Sequence, residues 1–340
     1  MPAAKRAQLP TPAAAGNRFR RNRLAGSSTV LLAVLLAIGL TTLPLSLRWY
    51  NVQSLDKAVR ESPAGHAVVP YETYARELDH AKAGSWTMSA APIAHRASSW
   101  MGHDDLGRSL LYRLWPGFLV SLVVGSAAAL IAVVIGVTWG AVAGLAGGRT
   151  DAIMMRIVDV LYSLPYILMV ILLKIALTRP LTALLGGRTA YADVLILLVA
   201  IGGVSWLTMA RVVRGQVLSL REQAFVEASR AAGAGKLFIL RRHLLPNLVG
   251  PVMACATLVV PQAILQEAFL SYLGIGVQQP LPSLGRLAAD GVQAVNTFVG
   301  YWWLIVFPCG LLVITLLALN FIGDGLRDAF DPKSTAQTLA

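Results

Sequence analysis

The chain has 340 residues, of which 56% are hydrophobic and only 14% charged, with a mean hydropathy of +0.63. A water-soluble domain carries roughly 25% charged residues, so this composition excludes a chain whose whole surface faces water. The net charge of +12 comes from lysines and arginines that flank apolar runs instead of interleaving with aromatics, which is a topology signal and not a nucleic-acid surface.

A bilayer core of ~30 Å is crossed by about 20 mostly apolar residues as helix, and in lipid only helices or closed barrels satisfy the backbone. In chain order, residues 1–28 are rich in Ala, Pro and Arg and form a basic tail for which no fixed structure is expected. Thr29–Leu47 is the first span. It exceeds a signal-peptide core of about 7–15 residues and has no small-x-small exit, so it is expected to stay as a helix. Residues 48–114 are polar with nearly balanced charge, and read as an extracytoplasmic loop ending in an amphipathic segment. Within it, His103, Asp104 and Asp105 are metal-ligand types, but three adjacent side chains cannot converge on one ion. Capping of the next helix by an aspartate is the expectation there.

The second span, Trp115–Gly148, holds no charge, and its Gly136, Gly140, Gly144 and Gly148 share one helix face suited to close packing. A third span is expected at Ile157–Leu177, kinked by Pro165, which becomes a candidate for shaping a translocation path. Asp159 and Lys174 are placed near its ends, where snorkelling is available. The fourth span is Val194–Val213 and the fifth Leu248–Leu273. In the fifth, Gln262, Gln266 and Glu267 either line a path or bond helix to helix. The sixth is Phe298–Ile322, followed by a tail at 324–340. Such long uniform runs do not alternate as barrel strands do, so the expected class is an all-α polytopic membrane protein with six transmembrane helices. Cys255 and Cys309 fall inside apolar runs, so no disulfide framework is indicated.

Basic residues set the orientation. Residues 1–28 hold Lys5, Arg6, Arg18, Arg20, Arg21 and Arg23 with no acid, and residues 211–247 hold seven basic residues against Glu222 and Glu227. With six spans both segments share one side, the cytoplasm, together with the C-terminal tail, and residues 48–114 lie outside.

The cytoplasmic stretch Ser219–Asn247 is the most informative. Ser219 with Glu222 is a capping-box pattern, which predicts a helix to about Ala232 closed by a left-handed Gly233 or Gly235. Phe225, Ala228 and Ala232 share a face, and Leu237, Leu240 and Leu244 align on a second helical piece that Pro246 interrupts. A short element of this kind cannot bury its small apolar face alone and calls for a cytoplasmic partner. Gly233-Ala234-Gly235-Lys236 is no phosphate loop, because Arg230 stands where the first glycine is required and Leu237 where the hydroxyl is. No cofactor is expected.

Glu227-Ala228-Ser229, Gly233 and His243-Leu244-Leu245-Pro246 resemble the E-A-A-x-x-x-G-x(9)-I-x-L-P pattern of binding-protein-dependent ABC importer permeases, with Ser229 and His243 departing from its commonest residues. Met101–Ser109 resembles the L-G-T-D-x-x-G-R-D stretch of C-type dipeptide and oligopeptide permeases, with departures at His103 and Ser109. Arg156-Ile157-Val158-Asp159 with Leu164-Pro165, Glu267–Gly274 and Gly323–Pro332 are similar to that group too. The likeness covers about residues 15–30 and 98–333 and leaves out the loop 48–97.

The resemblance implies a type I ABC importer permease bundle, with a five-helix core over 115–323 and a coupling segment over 215–247. Glu227, Ala228, Ser229, Arg230 and Gly233 would then meet an ATPase. It further implies a second, B-type permease, two ATP-binding subunits that carry out hydrolysis, an extracytoplasmic solute-binding protein, and a place in the cell inner membrane. Relatives of this type carry peptides most often, and some carry nickel chelates, opines or glutathione. A membrane-embedded enzyme would need His, Asp or Glu clustered in the spans, whereas all five histidines lie outside them. An ion-coupled carrier would show inverted repeats with broken helices, and no such pair is present in the sequence.

Overall fold

The computed structural model describes residues 21–49, 100–104, 107–186, 189–279, 281–294 and 301–330, with Gly16, Arg18 and Phe19 before them. Most of the expected external loop, Asp105 and the last ten residues lie outside the described residues.

In chain order the helices are α1 (Arg23–Trp49), α2 (Leu110–Ala146), α3 (Gly148–Tyr162), α4 (Tyr166–Leu184), α5 (Thr189–Arg221), α6 (Ala224–Ala231), α7 (Lys236–Ile239), α8 (Leu245–Tyr272), α9 (Leu284–Ala294) and α10 (Trp303–Phe330). A π turn at Leu240–Leu244 joins α7 to α8. Among the described residues six helical stretches are long and apolar enough to cross a bilayer: α1, α2, α4, α5, the run α7–α8, and α10. The all-α, six-span class is what the apolar runs imply.

Several local expectations are corrected. The third span is not Ile157–Leu177. Asp151, Arg156 and Asp159 keep α3 too polar to cross, it ends at Tyr162, and α4 is the span. Pro165 therefore breaks the chain instead of kinking a helix: it stands at φ −58° and ψ 123° as the residue before α4, lacking an N–H and holding Leu164 away from helical geometry. Lys174 consequently falls in the middle of a span, where it pairs at 3.4 Å with Asp193 of α5. Ser219 opens no helix, because α5 runs on to Arg221.

Contacts divide the chain into two compact units. The first comprises Met1–Val34, Leu122–Leu270 and Ile314–Ala340. In it, a side chain at Gly136 would overlap Met209, one at Gly140 the Ala210 carbonyl, and one at Gly144 Val217, so α2 and α5 meet backbone to backbone. Lipid tails are as apolar as leucine, so this close fit, and not exclusion of water, holds the helices together. Gly148 does not continue the series. With Gly147 it takes a positive φ, 56° and 65°, and turns the chain into α3. The core of this unit gathers Leu207, Met209, Val213, Val217, Val226, Ile239, Leu244 and Leu248.

The second unit comprises Leu35–Ser121 and Ser271–Val313. Its centre is a buried ion network. Asp104 accepts from the backbone N–H of Arg108 at 2.9 Å and pairs with the Arg108 and Arg113 guanidinium groups at 2.8 and 2.6 Å. Arg113 reaches Asp290 of α9 at 3.4 Å, and Arg286 pairs with the same carboxylate at 2.9 Å. Asp104 thus closes a turn instead of capping α2, which starts only at Leu110. Ser121 accepts the first backbone N–H of α9 at 3.1 Å.

Candidate functional site

The short helix α6 is built from its two ends. Gln223 enters in extended geometry, φ −79° and ψ 141°, with no side-chain cap. Glu227 sits in the first turn, where a carboxylate complements the helix dipole. At the other end Gly233 adopts φ 83°. The Gly233 N–H donates to the Arg230 carbonyl at 2.9 Å and the Ala234 N–H to the Ser229 carbonyl at 3.0 Å, the paired bonds of a Schellman cap. Of the two candidate glycines, Gly233 takes the left-handed role and Gly235 stands at φ −68° before α7.

One side chain of this helix is fully buried. It is Val226, which joins Ile239, Leu244 and Leu248 in the core. The rest faces outward: Ala228, Glu227, Arg230 and Ala232 are exposed, as is Phe225. The face expected to need a partner is indeed uncovered, and Leu237 and Phe238 on α7 extend it at 58% and 55% exposure. Beyond Gly233 there is open space where a side chain would project.

Ser229 is half-buried and turns inward. Its Oγ lies 2.9 Å from the Phe225 carbonyl and 3.0 Å from Nε2 of His243 in the π turn. The His243 ring stands between Phe225 and Phe238, with centroids 5.8 and 6.0 Å away. Asn247 donates to the His243 carbonyl at 2.6 Å. The two residues that depart from the family pattern are therefore each other's partners.

The path candidates do not form one group. Gln262 and Gln266 are one turn apart on α8; Gln262 is exposed, while Gln266 has a buried Oε1 with no hydrogen-bond partner among the described residues. Glu267 is fully buried, about 100° further round the helix. Pro165 belongs to a different element, at the start of α4.

Sequence reading missed a set of ties from α5 to its neighbours. Arg214 grips Asp151 through two bonds of 2.6 Å, and its guanidinium holds the Asp151 carboxyl below the usual aspartate range. Arg211 pairs with Asp159 at 2.9 Å and lies 4.1 Å from the Tyr162 ring centroid. Arg221 donates to the Gly144 carbonyl at the end of α2. These arginines register in the sequence as topology charges, and nothing in a local window reveals partners over fifty residues away.

Comparison with known proteins gives the family. Residues 136–335 match the family described as binding-protein-dependent transport system inner membrane component. The oligopeptide transport system permease protein OppC of Bacillus subtilis (strain 168) is 46% identical over 234 residues, 69% of this chain and 72% of that protein. The dipeptide transport system permease protein DppC of the same strain is 45% identical over 237 residues, 70% of this chain and 69% of that one. A putative peptide permease protein of Brucella ovis is 36% identical over 95% of this chain and 91% of its own length. Among solved structures, an inward-facing MetNI methionine ABC transporter chain aligns with a TM-score of 0.53 at 19% identity, covering 65% of this chain and 98% of that chain. That likeness is one of fold.

Proposed function

The chain belongs to the family of binding-protein-dependent transport system inner membrane components, and on that premise we propose that it is the C-type permease of a peptide importer coupled through α6. As a member of that family it is a multi-pass permease subunit of an ABC importer and not itself an enzyme. Such permeases work with a second permease, ATPases and a binding protein. Here the partners are taken to be a B-type permease, two ATP-binding subunits and an extracytoplasmic solute-binding protein. Peptides are the proposed cargo because relatives 45–46% identical bear the names of oligopeptide and dipeptide systems.

One observation carries the coupling role: a helix held to the bundle by buried Val226 and the Ser229–His243 contact, closed by Gly233, with Glu227, Ala228, Arg230 and Ala232 exposed. Phe225, Ala228 and Ala232 offer a small apolar strip to a groove, and Glu227 and Arg230 offer charges to its rim. Ser229 faces inward and belongs to the mounting of the helix. The Ser229–His243 contact joins α6 to the π turn from which α8 continues, so a push on α6 reaches the fifth span. Gln262 and Gln266 are the polar groups of α8 assigned to the solute path, with Pro165 shaping the entry to α4. Glu267, fully buried, serves this path through packing. The positive-inside bias puts 1–28, 215–247 and 324–340 in the cytoplasm and 48–114 outside.

The direct test is copurification. The chain, tagged and extracted gently, is expected to bring down an ATP-binding subunit, and replacing α6 by a Gly/Ser segment is expected to remove that subunit while the second permease stays. Retention of the ATPase without α6 overturns the reading.

A further inference from the structure

The geometry points to Asp151 and Arg214 as positioning residues that carry movement of α6 through α5 into α3 and α4. This inference rests on the proposed docking of an ATPase at α6. The helix α5 is unbroken to Arg221 and is separated from α6 only by Glu222 and Gln223. A displacement of α6 therefore reaches the end of α5 through a two-residue link, besides reaching the π turn through Ser229 and His243.

At that end α5 holds α3 at two points. Arg214 takes Asp151, in the first turn of α3, with a two-pronged grip, and Arg211 takes Asp159 near its last turn. The helix α3 is also seated on the bundle by Val158 and by Trp139 Nε1, which donates to the Met154 carbonyl at 3.2 Å. The two ion pairs, eight residues and about 12 Å apart along its axis, tie its direction to α5 in particular. The ties are unequal. The two arginines are alike, Arg211 37% and Arg214 34% exposed at the side chain, but Asp159 is 59% exposed and Asp151 only 11%. Exposed pairs contribute little, so the forked Asp151–Arg214 pair is the working tie, and its planar fork fixes orientation as a lysine could not. Beyond Tyr162, α3 passes its load through the Ser163–Pro165 break to α4. There Lys174 meets Asp193 of α5 and closes the loop of connections. The helix α5 is thus tied to α3 at two places near its α6-bearing end and to α4 at one place, Asp193, near its opposite end.

The test uses cells in which the variant is the only copy of this chain. Uptake of a radiolabelled pool of two- to six-residue peptides is read beside ATPase retention and ATP hydrolysis in tag-purified complexes. Asp151→Asn, nearly the same shape, is expected to keep the ATPase bound and hydrolysing while uptake falls about tenfold. Asp151→Glu, which keeps the charge, is expected to restore most of the uptake. Parental uptake in Asp151→Asn overturns the inference, as does equal loss in the Glu variant. Detachment of the ATPase by Asp151→Asn also overturns it, since the pair then builds the docking site instead of passing motion on. Gly233→Arg separates the two readings: normal uptake in that variant alone removes α6 docking, and normal uptake in Asp151→Asn alone removes the clasp.

Discussion

Ser229 Oγ and His243 Nε2 stand 3.0 Å apart, joining α6 to the π turn that opens the fifth span. The Ser229 hydroxyl also lies 2.9 Å from the Phe225 carbonyl. With its single proton donated to that carbonyl, the oxygen accepts from an Nε2–H. The contact fixes one imidazole edge and holds α6 against the turn that transmits its movement.

A double-mutant cycle reads the value of this bond. Ser229→Ala and His243→Ile each remove one partner and are expected to lower the thermal stability of the purified complex. The double variant, which sets the commonest family residues at both positions, is expected to recover part of the loss. The coupling should be about 0.5–1.5 kcal/mol. Strictly additive losses would show that the two side chains act independently.

Val226 supplies a second handle, because it is the only fully buried side chain of α6. Val226→Ala removes two methyl groups and is expected to cost roughly 1–3 kcal/mol locally. Val226→Asp places an unpaired charge in the core and should release α6 altogether. Limited proteolysis between Arg221 and Lys236 should accelerate modestly in the first variant and greatly in the second. Unchanged cleavage in Val226→Asp would mean that α6 is mounted by other contacts.

The orientation is tested by labelling. On a background lacking Cys255 and Cys309, a cysteine at Ala81 is expected to react with an impermeant thiol reagent in intact cells. One at Gln223 should react only after permeabilisation. Equal reaction at both positions in intact cells contradicts the charge-based topology.

Much of this architecture was legible because lipid sets simple rules. Apolar length marks the number of spans, though not the bounds of the third, and the glycine spacing at Gly136, Gly140 and Gly144 marks the α2 face that meets α5. The left-handed Gly233 was legible because few residues tolerate that geometry. Ser219 misled because its capping pattern is local, whereas Val213 and Val217 of the same helix are buried against α2 and carry α5 past it. Pro165 reads as lying inside a span because the end of α3 and the start of α4 form one apolar stretch interrupted only by Asp159. That same misplacement put Lys174 near an end. The Asp151–Arg214 clasp and the Asp104–Arg113–Asp290 network join residues far apart in the chain. Hydrophobic periodicity carries no record of such pairs.

The most direct measurement concerns Gly233 and Glu227 together. An arginine at Gly233 meets a left-handed backbone, φ 83°, at a cost of about 1 kcal/mol, and it puts bulk at the tip of the docking face. Glu227→Lys reverses one of only two acidic charges in the basic stretch 211–247. Each variant should insert in the membrane and retain the second permease. Peptide uptake should fall to background, with the ATPase either detached or hydrolysing without transport. Uptake at the parental rate in both variants, with the ATPase still bound, would contradict the assignment of α6 as the coupling element.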